Sequence, residues 1–284
     1  MAKVKIITDS TADIPKLIVE ELNITVVPLK VLFGEETFED GVDITANEFY
    51  EKLATNENMP TTSQPTPYQF EEVYQEVARE EETHIISIHL SAKLSGTIQS
   101  ANIARDMVKD QIDVTVVDSK RASYAIGIIV VEVAKLAKAG ATKAQCLARL
   151  DELLSTTTVY FIVDTLEFLQ KNGRIGKASA LFGSLLKIKP ILSLNNEGEV
   201  FPFDKVRGQK KAIAKIYEYF EKDFGSQSIH VGISHASAKE NAVNIMSEMK
   251  SNFNISSDVI TDIGPVIGAH VGPGTIAISV TLAK

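Results

Sequence analysis

The chain has 284 residues, 44% hydrophobic and 23% charged, and this ordinary globular composition excludes a disordered or fibrous protein. Asp and Glu number 37 against 29 Lys and Arg, so the net charge of −8 argues against nucleic acid or an anionic membrane surface as a partner. The single cysteine, Cys146, excludes an intrachain disulfide, and we expect no metal site. Glycine and proline interrupt the uncharged stretch 263–283, so we expect no integral membrane segment and predict a cytoplasmic protein.

Strands and helices alternate through residues 1–155. Buried strands are predicted at 4–8, 24–29, 85–90 and 114–117. Helices are predicted at 13–22, from Thr45 onward, and at 67–82, 96–108, 122–139 and 142–154. The helix at Thr45 begins with a capping box, because Glu48 lies three residues later. This alternation predicts a mostly parallel sheet flanked by helices.

The pattern changes from residue 156 onward. Strands are predicted at 159–163, 188–194, 199–206, 229–234 and 275–282, with helices at 166–171, 210–222 and 239–250. The turn residues at 195–198 predict a hairpin and therefore antiparallel pairing. The sequence thus predicts an α/β fold of two domains, with an α/β domain over 1–155 and a smaller α+β domain over 156–284.

Hydroxyl-bearing residues follow strands of the first domain. The sequence Ser95-Gly96-Thr97 comes shortly after one strand and directly before a helix. Ligands of open α/β sheets bind beyond the carboxyl ends of strands, where helix N-termini offer free N–H groups. This segment is therefore a candidate anion site, although Ser and Thr are also common helix caps. Asp9 and Asp118, which end two other strands, are interpreted as capping or turn residues.

Two further segments are candidates for ligand contact. Residues 61–67 contain the densest cluster of hydroxyl side chains, in a segment predicted to be a proline-stiffened loop between two helices. This loop is either a simple turn or a rigid segment that holds hydroxyl donors toward a ligand. His270 lies in a segment whose glycines and proline predict a tight, open backbone, where a histidine can donate to an anion. His84 and His89 are interpreted as structural.

Several enzyme motifs are absent from the sequence. It contains no Walker phosphate loop, no dinucleotide fingerprint and no Gly-x-Ser-x-Gly elbow. A pairing of Ser95 with His270 for acyl transfer stays open, but no orienting acid is identifiable. Cations gather around Arg174 and at 205–211, either as solvated charges or as a docking patch for an anionic partner.

The ordered set of short motifs resembles the DegV family of bacterial fatty-acid-binding proteins. The matching segments are ITDST at 7–11, TTSQP at 61–65, SIHLS at 87–91, LSGT at 94–97, VDS at 117–119, NGRI at 172–175, LKIKPI at 186–191, VR at 206–207, GISH at 232–235 and GAH at 268–270. They span almost the whole chain. The resemblance implies a two-domain fold with a long-chain fatty acid bound between the domains.

Members of this family act as the acyl-binding subunit of a bacterial fatty acid kinase. The resemblance therefore implies that an ATP-dependent kinase subunit phosphorylates the bound carboxylate, and that the acyl phosphate feeds phospholipid synthesis. Matched by motif, the fatty acid contacts are expected at five positions, namely Thr62, Ser63, Ser95, Gly96 and His270. Arg207 matches an arginine implicated in docking the kinase, and Arg174 matches another characteristic arginine whose role is unassigned.

The chain is accordingly expected to be a carrier, with no catalytic residues, no cofactor and no nucleotide site of its own. Two alternatives remain, an acyl hydrolase or transferase that uses Ser95 and His270, and a binding protein for another small anion. The apolar stretches 124–131, 181–186 and 263–271 are expected either to line an acyl tunnel or to be plain core.

Overall fold

The computed structural model describes residues 3–56, 58–79, 83–181 and 189–283. The strands, in chain order, are β1 Lys3–Asp9, β2 Thr25–Val27, β3 Lys30–Phe33, β4 Glu36–Glu39, β5 Thr61–Ser63, β6 Thr83–His89, β7 Asp113–Asp118, β8 Thr158–Ile162, β9 Lys189–Leu194, β10 Val200–Val206, β11 Ile229–His235, β12 Ile255–Asp262 and β13 Ile276–Leu282. The helices are α1 Lys16–Leu22, α2 Ala46–Thr55, α3 Pro67–Val77, α4 Thr97–Val108, α5 Tyr124–Lys138, α6 Lys143–Thr156, α7 Glu167–Lys171, α8 Gln209–Phe224, α9 Lys239–Asn252 and α10 Pro265–Val271. Two 3₁₀ turns lie at Ser10–Ala12 and Gly176–Leu181.

The first sheet has the strand order β2-β1-β6-β7, and every pair in it is parallel, as the sequence predicts. Because successive side chains of a strand point to opposite faces, neighbouring isoleucines of β1 separate. Ile7 packs with Phe70 and Tyr74 under helices α3 and α4, whereas Ile6 packs with Ile126 and Leu150 of α5 and α6. Helices therefore cover both faces of this sheet.

The second sheet has the order β10-β9-β8-β13-β11-β12, and among its described strands only the pair β11 with β12 is parallel. The predicted hairpin is confirmed, since Val200 pairs with Leu194 across the turn. Helices α8 and α9 cover one face, where Phe220 and Met249 are buried. The other face carries Phe161 and packs against α10, α7 and α2. This second face is the one that borders the functional site.

Four predictions about local structure are wrong in whole or in part. Residues 24–29 do not form one strand, because β2 ends at Val27 and the chain continues into the hairpin of β3 and β4. Residues 61–63 are not a loop but strand β5, which pairs with β3 through Thr62 and Val31. The segment 268–274, expected to be tight, open backbone, is helical as far as Val271, where helix α10 (Pro265–Val271) ends. The helix predicted over 67–82 ends at Val77, and residues 80–82 lie outside the described part.

Helix α5 lies against strands of both large sheets. It contacts β1 and β6 of the first sheet and β11 and β13 of the second. The ring of Tyr124 fills the space beside Gly232 of β11, where a Cβ atom would come within 2.1 Å of the ring. Helix α6 also reaches the second sheet, because Arg149 donates to the carbonyl of Leu282 at 2.8 Å. The division of the chain at residue 155 stays a prediction.

Candidate functional site

A cavity of about 520 Å³ lies between the first sheet's carboxyl edge and the inner face of the second sheet. Its walls are largely apolar, and they include Leu29, Leu90, Val159, Phe161, Leu194 and Ile267. Its polar lining includes Thr62, Ser63, Gln64, Ser95, Arg174 and His270. The cavity thus combines a largely apolar surface with a small set of polar side chains, which is typical of a site for an amphipathic small molecule.

Thr62 and His270 meet in this cavity although 208 residues separate them. The Thr62 Oγ1 atom lies 2.8 Å from His270 Nε2. Strand β5 turns Thr62 inward and leaves its two neighbours, Thr61 and Ser63, exposed at the rim. Helix α10 carries His270 in its last turn. The two segments that the sequence singled out separately therefore form one hydrogen-bonded pair.

The His270 ring is neutral at physiological pH. Burial, together with the positive charge of Arg174, lowers its pKa from 6.5 to about 4. Its Nδ1 atom is buried and has no hydrogen-bond partner among the described residues. Because a buried N–H without an acceptor is rarer than an unpaired acceptor, this favours the tautomer in which Nε2–H donates to Thr62. The Thr62 hydroxyl proton is then free to point into the cavity.

Ser95 has a similar arrangement at the start of α4. Its Oγ lies 2.9 Å from the Thr97 hydroxyl and accepts from the Thr97 N–H at 3.3 Å. When both Thr97 groups donate to it, the Ser95 hydroxyl keeps its own proton for a ligand. Thr62 and Ser95 therefore offer two neutral O–H donors, each polarised by a hydrogen bond that it accepts.

Gly96 differs from the other predicted contacts because it is not among the residues that line the cavity. Its N–H donates to Gln64 Oε1 at 3.1 Å, and a Cβ atom at this position would come within 2.4 Å of the same oxygen. Gly96 thus allows Gln64, just beyond β5, to dock on the N-terminus of α4. The glycine holds the Thr62 and Ser95 segments together rather than facing the cavity.

Arg174 bonds to backbone carbonyls of the segments that carry the polar side chains of the site. Its Nε donates to the Leu94 carbonyl at 3.1 Å, beside Ser95, and its Nη1 donates to the Asn172 carbonyl at 2.7 Å. Asn172 in turn donates to the Ala269 carbonyl at 2.8 Å, next to His270. The sequence offered a signal for this residue, a cation in a glycine-containing motif, but no role. The structure makes it a partly buried positive charge at the polar end.

The remaining residues that the sequence predicts divide into those that line the cavity and those that do not. Arg207 is exposed just after β10 and does not line the cavity. The stretch 263–271 contributes five lining residues, whereas 124–131 contributes none and is core. Leu181 is buried but is not a lining residue, and residues 182–186 lie outside the described part. Gln64, Ser100, Ser123 and Thr275 are polar lining residues that the sequence does not predict as ligand contacts.

The geometry does not favour a hydrolase. No carboxylate orients His270, since its Nδ1 lacks a partner in the part of the chain that the structure describes. A Ser–His–Asp chain does occur, with His89 between Ser87 at 2.6 Å and Asp9 at 2.9 Å. All three side chains are completely buried, so no substrate can reach them. Asp9 also accepts from the Thr11 N–H, the capping role that was predicted for it.

Across the described ranges, no helix combines the length and apolar character that spanning a bilayer requires. The same ranges hold no group of three or more side chains suited to a metal ion.

Comparison with known proteins decides the family. A family model described as "Uncharacterised protein, DegV family" matches residues 3–282. The chain belongs to the DegV family. Among its relatives, a DegV domain-containing protein of Halalkalibacterium halodurans is 41% identical over 285 residues, covering 100% of both chains. Protein DegV of Bacillus subtilis is 38% identical over 277 residues, covering 97% of this chain and 98% of its own.

Solved structures of DegV proteins share the fold. A DegV family protein from Thermus thermophilus, reported for its fatty acid binding, has a TM-score of 0.92 and 35% identity, and the match covers 99% of both chains. DegV of Bacillus subtilis, described as a fatty acid binding protein, has a TM-score of 0.89 and 36% identity over 99% of this chain and 100% of its own. The α/β fold predicted for this DegV chain, with a mostly parallel sheet flanked by helices and a second region with its own sheet, is therefore the fold of its family.

Proposed function

We propose that this chain binds a long-chain fatty acid in the 520 Å³ cavity, with the acyl carboxylate at Thr62, Ser95 and His270. The observation that carries the proposal is the cavity itself, an apolar chamber whose hydroxyl donors and neutral histidine come from distant parts of the sequence. The fatty acid binding named for the Thermus thermophilus and Bacillus subtilis proteins supports it. The chain is a carrier in this proposal and performs no catalysis.

The acyl chain and the carboxylate of the proposed fatty acid contribute to the binding free energy in different ways. An acyl chain of about 15 methylenes gains at most roughly 12 kcal/mol on burial, at about 0.8 kcal/mol each. Lost motion on binding and imperfect packing reduce this considerably. The carboxylate leaves water and needs replacement hydrogen bonds, which the Thr62 and Ser95 hydroxyls supply, while the positive charge of Arg174 compensates the negative one.

The experiment that tests the proposal is denaturing extraction of the purified protein followed by mass spectrometry of the small molecules released. We expect a fatty acid in near-stoichiometric amount, and its length and unsaturation report the preferred chain. Empty protein that also fails to take up added fatty acids would overturn the proposal. A phosphorylated metabolite in place of lipid would instead favour a binding protein for another small anion.

We further propose that the carrier presents its bound carboxylate to an ATP-dependent kinase subunit, in the cytoplasm, for conversion to an acyl phosphate that feeds phospholipid synthesis. The absence of a Walker loop and a dinucleotide fingerprint from the sequence supports a nucleotide site on the partner rather than on this chain. Exposed Arg207 supports docking at the end of β10, where Phe203 and Lys205 are also exposed. This local positive surface contrasts with the net charge of −8.

Arg207→Ala is expected to leave fatty acid affinity unchanged and to slow phosphorylation by the kinase subunit about tenfold. The reason is that Arg207 lies outside the cavity, whereas a well-placed interfacial arginine commonly contributes more than about 1 kcal/mol to binding. Single-turnover acyl phosphate formation at limiting carrier measures the effect. Arg79→Ala, at an exposed arginine beyond the end of α3, is the matched control. Equal rates for the two variants would discard the docking role of Arg207.

A further inference from the structure

Side chains from the first third of the sequence hold the start of helix α10. The Asp13 carboxyl accepts from the Gly264 N–H at 2.9 Å, and the Tyr50 hydroxyl donates to the Ile263 carbonyl at 3.0 Å. The Thr261 hydroxyl donates to the backbone carbonyl of Asp13 at 2.9 Å. All these contacts join segments more than 200 residues apart, and they converge on the last residues before α10.

Helix α10 has no cap of its own. Its N-cap residue, Gly264, has no side chain, and Pro265 in the next position has no N–H. Helices normally satisfy their first N–H groups with a Ser, Thr, Asp or Asn at the N-cap. In this helix the acceptor comes from Asp13, and the Val266 N–H interacts with Asp40. Two distant carboxyls therefore replace the missing local cap.

The two carboxyls meet at Gly264. A Cβ atom on this glycine would lie 2.8 Å from Asp13 Oδ1 and 3.2 Å from Asp40 Oδ1, so a larger residue does not fit between them. Both side chains are buried, with 8% and 5% of their surface exposed. Asp13 also accepts from the Ser123 hydroxyl at 2.5 Å, and Ser123 lines the cavity. The pair thus lies beside the proposed ligand site without facing it.

We propose that Asp13, Asp40 and Tyr50 form a clasp that positions helix α10 and, through it, the His270 ring at the polar end of the cavity. His270 lies six residues after Gly264 on the same short helix, about 9 Å along its axis at 1.5 Å per residue. Any displacement of the helix start therefore moves the ring relative to Thr62. The consequence for ligand affinity rests on the proposed fatty acid binding, whereas the position of the ring does not.

The clasp is stable when the carboxyl groups of Asp13 and Asp40 carry protons. Burial and the neighbouring carboxylates of Asp40 and Asp9 raise the pKa of Asp13 well above its usual value, even though Ser123 and Gly264 donate to it. Burial and Asp9 raise the pKa of Asp40 from 3.8 to about 7, although Ser10 and Val266 lower it in part. No cation among the described residues contributes to either pKa.

The other titratable groups around the clasp do not offset the raised pKa values of Asp13 and Asp40. Tyr50 stays protonated, because burial and the nearby aspartates, including Asp262, raise its pKa well above 10. His235 lies 3.5 Å from Asp262, and burial lowers the pKa of its ring. Because the folded pKa of Asp40 is raised, its contribution to stability is fully present below pH 3.8 and is lost as the pH rises through about 7. The clasp therefore weakens above neutral pH.

The test compares variants of the full chain by the imidazole NMR signals of His270 and by fatty acid dissociation. Asp13→Ala is expected to shift the His270 signals and to raise the dissociation constant about tenfold, because the uncapped start of the helix no longer holds the ring in place beside Thr62. Asp13→Asn keeps the acceptor for Gly264 and mimics the protonated acid, so it is expected to retain wild-type signals and affinity within about threefold. Unshifted His270 signals in Asp13→Ala would overturn the clasp. If Asp13→Asn and Asp13→Ala shift the His270 signals and weaken fatty acid binding equally, the proposal that the clasp contains a protonated Asp13 is overturned.

Two milder variants keep the test decisive if Asp13→Ala does not fold. Tyr50→Phe removes only the hydroxyl on Ile263 and is expected to shift the His270 signals, whereas Tyr217→Phe, whose hydroxyl contacts the Ile245 carbonyl, is the matched control. Asp40→Asn is expected to abolish a His270 shift that the wild type shows near pH 7. Identical spectra for Tyr50→Phe and the wild type would count against the clasp. Failure to bind fatty acid would remove the proposed function but leave these spectra interpretable.

Discussion

Replacing both Thr62 and His270 by alanine is expected to weaken fatty acid binding by about 10- to 150-fold without unfolding the protein. The two side chains share a 2.8 Å hydrogen bond, and hydrogen bonds to a charged group contribute about 1.5–3 kcal/mol each. Because His270 acts on the ligand partly through Thr62, the single substitutions are expected to be non-additive, and His270→Ala changes little once Thr62 is gone. Isothermal titration with one fatty acid measures all four corners of this cycle.

Two controls separate carboxylate recognition from general damage. The pair Thr37→Ala and His84→Ala removes an exposed threonine and a histidine that bonds Asp113 on the surface, so fatty acid affinity is expected to be unchanged. The fatty alcohol of the same chain length lacks the carboxylate and is expected to bind wild type and double variant with similar affinity. Wild-type affinity of the double variant for the acid would remove Thr62 and His270 from the site.

Enlarging Ala277 to leucine is expected to shorten the acyl chain that the cavity accepts. Ala277 lies in the central strand β13, pairs with Phe161, and both residues line the cavity. Leucine adds three carbon atoms, so a fatty acid that fills the wild-type cavity loses the burial of about three methylenes. At about 0.8 kcal/mol each this is roughly 2.4 kcal/mol, or about 60-fold in affinity.

A series of fatty acids of increasing length measures this effect. Acids about three carbons shorter than the preferred one are expected to bind Ala277→Leu as tightly as wild type. Ala214→Leu, at an exposed position of α8, makes the same change away from the cavity and is expected to alter no affinity. An equal loss at every chain length would mean that the leucine distorts the sheet rather than filling the cavity.

The parts of the fold that the sequence predicts are those with a strong local signal. The buried strands of the parallel sheet are apolar runs, and the capping box of Thr45 and Glu48 starts α2 at the expected place. Strand β12 was missed because it is an edge strand with a half-polar sequence. Strand β5 was missed because its partner, β3, is about 30 residues away and itself unpredicted.

Helix α10 shows why the rest was not predictable. Two glycines and a proline within eight residues indicate broken backbone, and its cap comes from Asp13, about 250 residues earlier. The meeting of Thr62 with His270 leaves no trace in spacing either, and only the resemblance to a family brought the two together. Gln64 and Arg174 act through backbone groups of distant segments, a kind of contact that residue type does not indicate.

The position of helix α5 between the two large sheets determines how the protein is expected to unfold. Ten of its fifteen residues are buried, and they are divided between strands of the parallel and of the mixed sheet. If either sheet unfolds or separates from the other, this apolar helix becomes exposed to water, which is strongly unfavourable. The chain is therefore expected to melt in a single cooperative transition, with no populated state in which one half stays folded alone.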